Sequence, residues 1–340
     1  MKRTTIYVSL AILLLFISGS WFILNTQWGL DRTYELVQHS IPGKLSIQSL
    51  QGKLVGPIEF TGINYINDEI DVNLDRLELD WQPASLIKGT LRFSKLDAHG
   101  LTIKLTDASD QVKPEPPSSF ALPFTIDVLN ARLVVARIIA EQQKPILIKQ
   151  ILLQGTARDN SVQLTLLTID AETFDLTTNG KVGLDNTHPV ELHTIWSARL
   201  NDFTPLKGNG TFTGTLAHLE LEQTIEQSGL NVTLRGFLTN VISNLRWNLY
   251  LDIKQFNAQQ LAASWPRVSV QGKLKSVGHL EVFTLSGTLV SSLPEQGSLQ
   301  SIFEINAKPE VWHLTTFKAR HTPTNGTLHA NGEWRPGPEL

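Results

Sequence analysis

The sequence predicts a mostly β protein behind an N-terminal membrane helix, on three observations. Apolar and polar residues alternate with period two from about Leu45 onward, as in Leu77-Glu-Leu79-Asp-Trp81 and Val162-Gln-Leu164-Thr-Leu166. Successive side chains on a strand point to opposite faces, so such segments are strands with one apolar face. Ile6 to Leu24 is a run of 19 residues without a charge. Convincing helical periodicity is scarce beyond Pro42.

The uncharged run comes first in the chain. As a helix it spans roughly 28 Å, close to the hydrocarbon thickness of a bilayer. Lys2 and Arg3 precede it and Asp31 and Arg32 follow it. That asymmetry keeps the N-terminus in the cytoplasm and sends the body across the membrane. Ile6, Leu14, Phe16, Trp21 and Leu24 carry the span. A cleaved leader is the rival reading, with Ile6 to Ile17 as its apolar region and Ser18-Gly-Ser20 as the cleavage site. The apolar continuation Trp21-Phe-Ile-Leu24 favours an uncleaved anchor over residues 1–27. Either way the body is exported, which in bacteria means to the periplasmic side.

Over residues 28–42, Leu30, Tyr34, Val37 and Ile41 fall at helical spacing, with polar residues between them. This short amphipathic helix stops at Pro42-Gly43. It lies on the membrane, plugs a sheet end, or packs on its own domain.

Alternation then runs through a first β-region at 43–106. Lys113-Pro-Glu-Pro-Pro-Ser-Ser119 interrupts it. Proline cannot donate to a ladder, so a linker is expected at 107–120. A second β-region fills 121–340. Asn257 to Ser264 suits a short helix before Trp265-Pro266. Asn179-Gly180, Asn331-Gly332 and the Gly208–Gly214 stretch read as hairpins, because Asn and Gly tolerate positive φ. Ser49-Leu-Gln-Gly-Lys-Leu resembles Ser269-Val-Gln-Gly-Lys-Leu, which suggests degenerate copies of one β-unit. The last unit stops in mid-course, so the chain reads as one part of a longer protein.

Composition narrows the function. With 41% hydrophobic and 18% charged residues the chain is not a disordered solvating tail. A net charge of −3 gives no basic bias for nucleic acid. There are no cysteines, hence no disulfides or thiolate metal sites. Ser85-Leu-Ile-Lys88 matches S-x-x-K, but its companions S-D-N and K-T-G are absent. His188 and His193 match no common zinc spacing. No catalytic residue, cofactor site or metal site is predicted. With few helices, the apolar strand faces are covered by another sheet, by the same sheet curled over, or by a ligand.

An ordered series of landmarks follows the membrane segment: Gly29-Leu30, Ile41-Pro-Gly-Lys-Leu45, Gln51-Gly-Lys-Leu-Val-Gly-Pro57, Gly62-Ile-Asn-Tyr65, Leu77-Glu-Leu-Asp-Trp-Gln-Pro83, Leu86-Ile-Lys-Gly-Thr-Leu91, Leu96-Asp-Ala-His-Gly-Leu101 and Leu122-Pro-Phe-Thr-Ile126. In this series the chain resembles the N-terminal part of the TamB family, relatives of the AsmA-like proteins. The resemblance is dense over residues 1–135 and looser to about 335. It implies an elongated, curled antiparallel sheet, an open groove with an apolar concave face, anchored in the bacterial inner membrane. It also implies a non-enzymatic role in outer-membrane protein and autotransporter assembly, and in phospholipid transport between membranes. The partners implied are the inner membrane, phospholipid acyl chains and an outer-membrane barrel protein. Family members are several times longer, and the region that meets the barrel is missing here. The residues expected to line the groove are Leu164, Leu166, Leu249, Leu251 and Ile253. A closed β-core that scaffolds protein clients is the alternative.

Overall fold

The computed structural model describes residues 21–38, 43–67, 70–105, 121–140, 145–199, 203–262 and 264–335. Lys2, Arg3, Ile6, Leu14, Phe16 and the 107–120 linker lie outside them. Among the described residues no helix is long and apolar enough to cross a membrane, so the anchor stands on the sequence alone.

A helical turn at 21–25 leads into α1 (Gln27–Gln38). The Thr26 hydroxyl accepts a hydrogen bond from Gly29 N–H at 3.3 Å, which caps the helix start. A β-carbon at Gly29 would overlap the Ile23 carbonyl, so glycine lets the two helical pieces meet. Leu30 is buried. The helix meets the first strand of its own unit through side-chain amides. Gln27 Nε2 donates to Leu50 O at 2.8 Å and Gln27 Oε1 accepts from Gly52 N at 2.9 Å. Gln38 Nε2 donates to Leu45 O at 3.0 Å. These amides satisfy backbone groups of the first strand that its ladder leaves open.

Two compact units follow. The first holds residues up to 111 with 122–159 and 164–172; the second holds 112–121, 160–163 and 173–340. The first contains β1 (Lys44–Gly52), β2 (Ile58–Ile66), β3 (Ile70–Gln82), β4 (Thr90–Leu105), β5 (Thr125–Ala140), β6 (Ile146–Arg158) and most of β7 (Ser161–Ala171). A 3₁₀ turn, Pro83–Lys88, joins β3 to β4. The second contains β8 (Phe174–Gly183), β9 (Pro189–Ala198), β10 (Leu206–Thr215), β11 (His218–Gln227), β12 (Leu230–Thr239), β13 (Arg246–Asn257), α2 (Ala258–Leu261), β14 (Ser269–His279), β15 (Phe283–Leu293), β16 (Gly297–Ala307), β17 (Trp312–His321) and β18 (Thr327–Trp334). The expectation of a mostly β chain is met.

Strands β1 to β4 and β8 to β18 pair sequentially and antiparallel. The expected uniformly antiparallel sheet is corrected at one place: β4 and β5 run parallel, with Thr90 opposite Thr125 and Leu105 opposite Ala140. A parallel neighbour needs a crossover of a dozen or more residues. The stretch between Leu105 and Thr125 supplies that length.

The hairpin reading of Asn-Gly is also corrected. Asn179-Gly180 lies inside β8, Asn331-Gly332 inside β18, and Gly208 to Gly214 inside β10. At Gly180 and Gly210 a β-carbon would overlap a carbonyl of the neighbouring strand, Glu191 O and Glu222 O respectively. Glycine there permits close approach within a strand, where the sequence suggested a turn. The two similar Gln-Gly-Lys-Leu stretches also diverge: the first ends β1 and enters a turn, the second is interior to β14.

Candidate functional site

Directly opposed residues on paired strands share a face, so the register assigns the faces of the first unit. Leu45, Tyr65, Val72, Ile103, Ile138 and Ile146 form one row across β1 to β6. Ile47, Ile63, Leu74, Leu101, Ala136 and Ile148 form the next, and Leu50, Phe60, Leu77, Ala98, Leu133 and Ile151 the third. Every member is apolar except Tyr65, whose hydroxyl accepts from Asn67 Nδ2 at 3.4 Å. Yet within these three rows only Ala136 and Ile148 are buried. They pack with Ala171, Leu101, Leu133, Ile138, Ile151 and Ile169.

The second and third rows break the period of two. On each of the six strands the two face residues are three apart: Ile47 and Leu50, Phe60 and Ile63, Leu74 and Leu77, Ala98 and Leu101, Leu133 and Ala136, Ile148 and Ile151. The ladder skips Gln48, Gly62, Asp75, Gly100, Val135 and Lys149, which lie opposite one another in a single transverse line. Three of these have left-handed backbone: Gly62 (φ 63), Gly100 (φ 71) and Val135 (φ 58). An extra residue on one strand alone would turn half of its apolar set to the polar side. Because all six strands carry it at the same level, the apolar face stays continuous.

The opposite face is charged and internally paired. Arg76 bonds Glu59 at 2.9 Å and also Glu78. Lys95 bonds Glu78 at 2.5 Å and reaches Asp97 at 3.7 Å. The Lys95 hydrogen bond, then the Arg76 charge, hold the Glu78 carboxyl below its ordinary range.

The second unit repeats the division. One row runs Leu219, Leu238, Trp247, Gly278, Phe283, Ala307, Trp312 and Trp334. Its aromatic members form a rail, with ring centroids 5.9 Å apart for Trp247–Phe283, 5.8 Å for Phe283–Trp312 and 5.2 Å for Trp312–Trp334. The sequence reading did not assign this rail; the signal was an aromatic residue at or next to each strand end. The same face carries Gly180, Gly210, Gly236, Gly272 and Gly287. A β-carbon at any of the five would meet a carbonyl of the adjoining strand at or inside contact distance.

Polar side chains also stand on this face, Ser276 and Ser301 among them. Gln223 Oε1 accepts from Trp196 Nε1 at 2.9 Å, and Gln223 Nε2 donates to Thr194 Oγ1 at 3.3 Å. Thr178 Oγ1 donates to His193 O at 2.9 Å. Thr178, Thr194 and Gln223 are buried, a polar knot satisfied from within. Lower on the face, Leu261 of α2 packs with Leu230 and Val232, joined by Phe203, Leu206, Ile225, Leu251, Ile253 and Phe256. Trp265 closes edge-on to Phe203, centroids 5.1 Å apart.

The five residues expected to line a groove are therefore placed as follows. Leu164 and Leu166 are half-buried on β7, alternating with exposed Gln163 and Thr165. Leu249 is half-buried between Gly236 and Ser276. Leu251 and Ile253 share its face but pack under α2. The structure brings the last three together on one strand; the first two belong to the other unit. Trp21 and Leu24 are 65% and 41% exposed. Among the described residues no group of three or more acidic, histidine or cysteine side chains converges on a metal-sized site.

These features define a class: a β-sheet protein whose units each segregate an apolar face from a polar one, with the apolar side incompletely covered. The family model of the TamB N-terminal domain matches residues 14–138 and 114–287. The chain belongs to the TamB family, of which it carries the N-terminal region. No curated protein and no solved structure matches it.

Proposed function

We propose that the apolar sheet faces bind lipid acyl chains. In this reading the protein is an inner-membrane-anchored periplasmic component of a translocation and assembly module and works by binding, without catalysis. Residues 6–24 hold it in the inner membrane with Lys2 and Arg3 on the cytoplasmic side. Each unit's sheet curls with its apolar face concave, forming a groove open to phospholipid. The module assists outer-membrane protein assembly with a barrel partner and passes phospholipid between the membranes.

The supporting observation is the three rows of the first unit, apolar but for the Tyr65 hydroxyl, in which only Ala136 and Ile148 are buried. Apolar area left in water forfeits about 25 cal/mol per Å², and an acyl chain recovers it. Glycines on the same face of the second unit fit a concave wall, where side chains crowd. Photocrosslinkers at Leu77 and Leu285 on the apolar faces, and at Arg76 and Lys275 on the polar ones, test this in cells. Lipid adducts are expected at the first pair and not the second. Adducts to protein clients at Leu77 and Leu285, without lipid, would replace the lipid reading with a protein scaffold.

A further inference from the structure

We propose that the 3₁₀ turn Pro83–Lys88 is a second membrane contact, dipping Leu86 and Ile87 into the interface of the bilayer that holds the N-terminal segment. This rests on the reading of residues 6–24 as a membrane anchor and goes beyond it.

Four observations carry the inference. The first is exposure without a packing role. Ile87 is 90% exposed and Leu86 46%, and the turn has no buried residue. The second is fixed geometry. Pro83 starts the turn, and Gly89 (φ 68) ends it with its N–H bonded back to Leu86 O at 2.9 Å. The two side chains are therefore presented on a rigid tip.

The third observation is position. Leu24 ends the apolar stretch read as the anchor, and its carbonyl accepts from Val55 N at 3.1 Å. The neighbouring Leu54 carbonyl accepts from Trp81 Nε1 at 2.7 Å. Trp81 stands two residues before the turn. A short series of bonds thus ties the end of the anchor stretch to the base of the 3₁₀ turn, at one end of the first unit. Thr125 N donates to Gly89 O at 2.9 Å and sets Phe124, 38% exposed, beside the same tip.

The fourth is charge. Lys53 and Lys88 are exposed at this end, and among the described residues neither carries an ion pair. Apolar tips flanked by lysines suit the boundary between acyl chains and anionic headgroups. The turn is the Ser85-Leu-Ile-Lys88 stretch that catalysis left unexplained.

The chain has no cysteine, so a single probe is easily placed. The full chain bearing Ile87→Cys, labelled with an environment-sensitive dye, is reconstituted into phosphatidylethanolamine–phosphatidylglycerol vesicles containing doxyl lipids. The same label goes at Trp21, reporting the anchor, and at exposed Ile302. Several-fold stronger lipid quenching at Ile87 than at Ile302 is expected, growing with the phosphatidylglycerol fraction. In a Leu86→Asp, Ile87→Asp variant, quenching of a label at Phe124→Cys should fall to the Ile302 level. Quenching at Trp21 with a water-exposed Ile87 overturns the second contact and leaves the anchor. No quenching at either overturns both. Ile87 shielded from water but not quenched by lipid assigns the tip to a protein partner and also overturns the proposal.

Discussion

The Asp75 side chain of β3 lies directly over Gly100 of β4, where a β-carbon would overlap its carboxylate. The pair sits in the transverse line of skipped residues, and Gln48 covers Gly62 in the same way. Gly100→Ala meets two separate costs. The left-handed backbone (φ 71) costs a β-carbon about 1–2 kcal/mol, and the overlap adds to it. Asp75→Ala removes the carboxylate overlap and leaves its own β-carbon 3.0 Å from the new one. In a double-mutant cycle read by chemical denaturation, Asp75→Ala should recover part of the Gly100→Ala loss and leave the backbone cost. Full recovery would show that Gly100 is required for space and not for its conformation.

Val135 continues that line on β5 with φ 58, and β-branched residues fit left-handed backbone poorly. It is exposed, so little packing is lost by trimming it. Val135→Asn and Val135→Gly should each raise the denaturation midpoint of the first unit, by the equivalent of about 1 kcal/mol for Asn. Glycine should gain less, because its unfolded chain is more flexible. A drop in midpoint for both would mean that the isopropyl group makes packing worth more than the strain.

The strands themselves were readable because burial on one side writes period two into the sequence. The line of skipped residues was not, although its trace was present: Leu96-Asp-Ala98-His-Gly-Leu101 places apolar residues two and then three apart. A strict alternation template treats that as noise, since a single slipped strand would be out of phase with its neighbours. Only the register shows six strands slipping together. The apolar side of β13 was likewise legible in Leu249, Leu251 and Ile253. That α2 and Trp265 cover its lower part was not, because a four-residue helix leaves no periodic signature and its partners are distant in sequence. The parallel β4–β5 pair depends on a crossover whose direction no local pattern records.

Acid should open the β8–β9 connection before the strands. Asp185 Oδ1 accepts from Thr187 Oγ1 at 2.6 Å, Thr187 N at 2.9 Å and His188 N at 3.1 Å. These bonds, the Thr187 hydroxyl foremost, hold the carboxyl below its ordinary range. A folded-state value below the unfolded one means a contribution fully present above the unfolded value, near 4. It is lost as pH falls through the lower folded value. After correction for intrinsic rates, the Thr187 and His188 amides should keep their protection from pH 8 down to about 4 and lose it below. Asp185→Ala should remove that protection at neutral pH as well. Protection unchanged in the variant would show that the turn is held by its backbone, chiefly the His188 N to Asp185 O bond of 3.0 Å.

The polar knot on the apolar face of the second unit poses the opposite question, whether a polar group there stabilises or merely interrupts. Gln223→Leu extends the apolar face but removes the acceptor of Trp196 Nε1 and the amide donor to Thr194. A buried polar group left without a partner costs about 1–3 kcal/mol. Thr194 Oγ1 retains Gly210 O at 3.3 Å, so Trp196 bears most of that loss. Adding Trp196→Phe removes the orphaned N–H, and replacing both partners of a bond by apolar groups is close to neutral. The double variant should therefore recover much of the single variant's loss in denaturation midpoint. It should also take up more lipid per chain, since two polar groups have left the face. Recovery of stability without added lipid would restrict the acyl-binding surface of this unit to the aromatic rail of Trp247, Phe283, Trp312 and Trp334, away from β9 and β11.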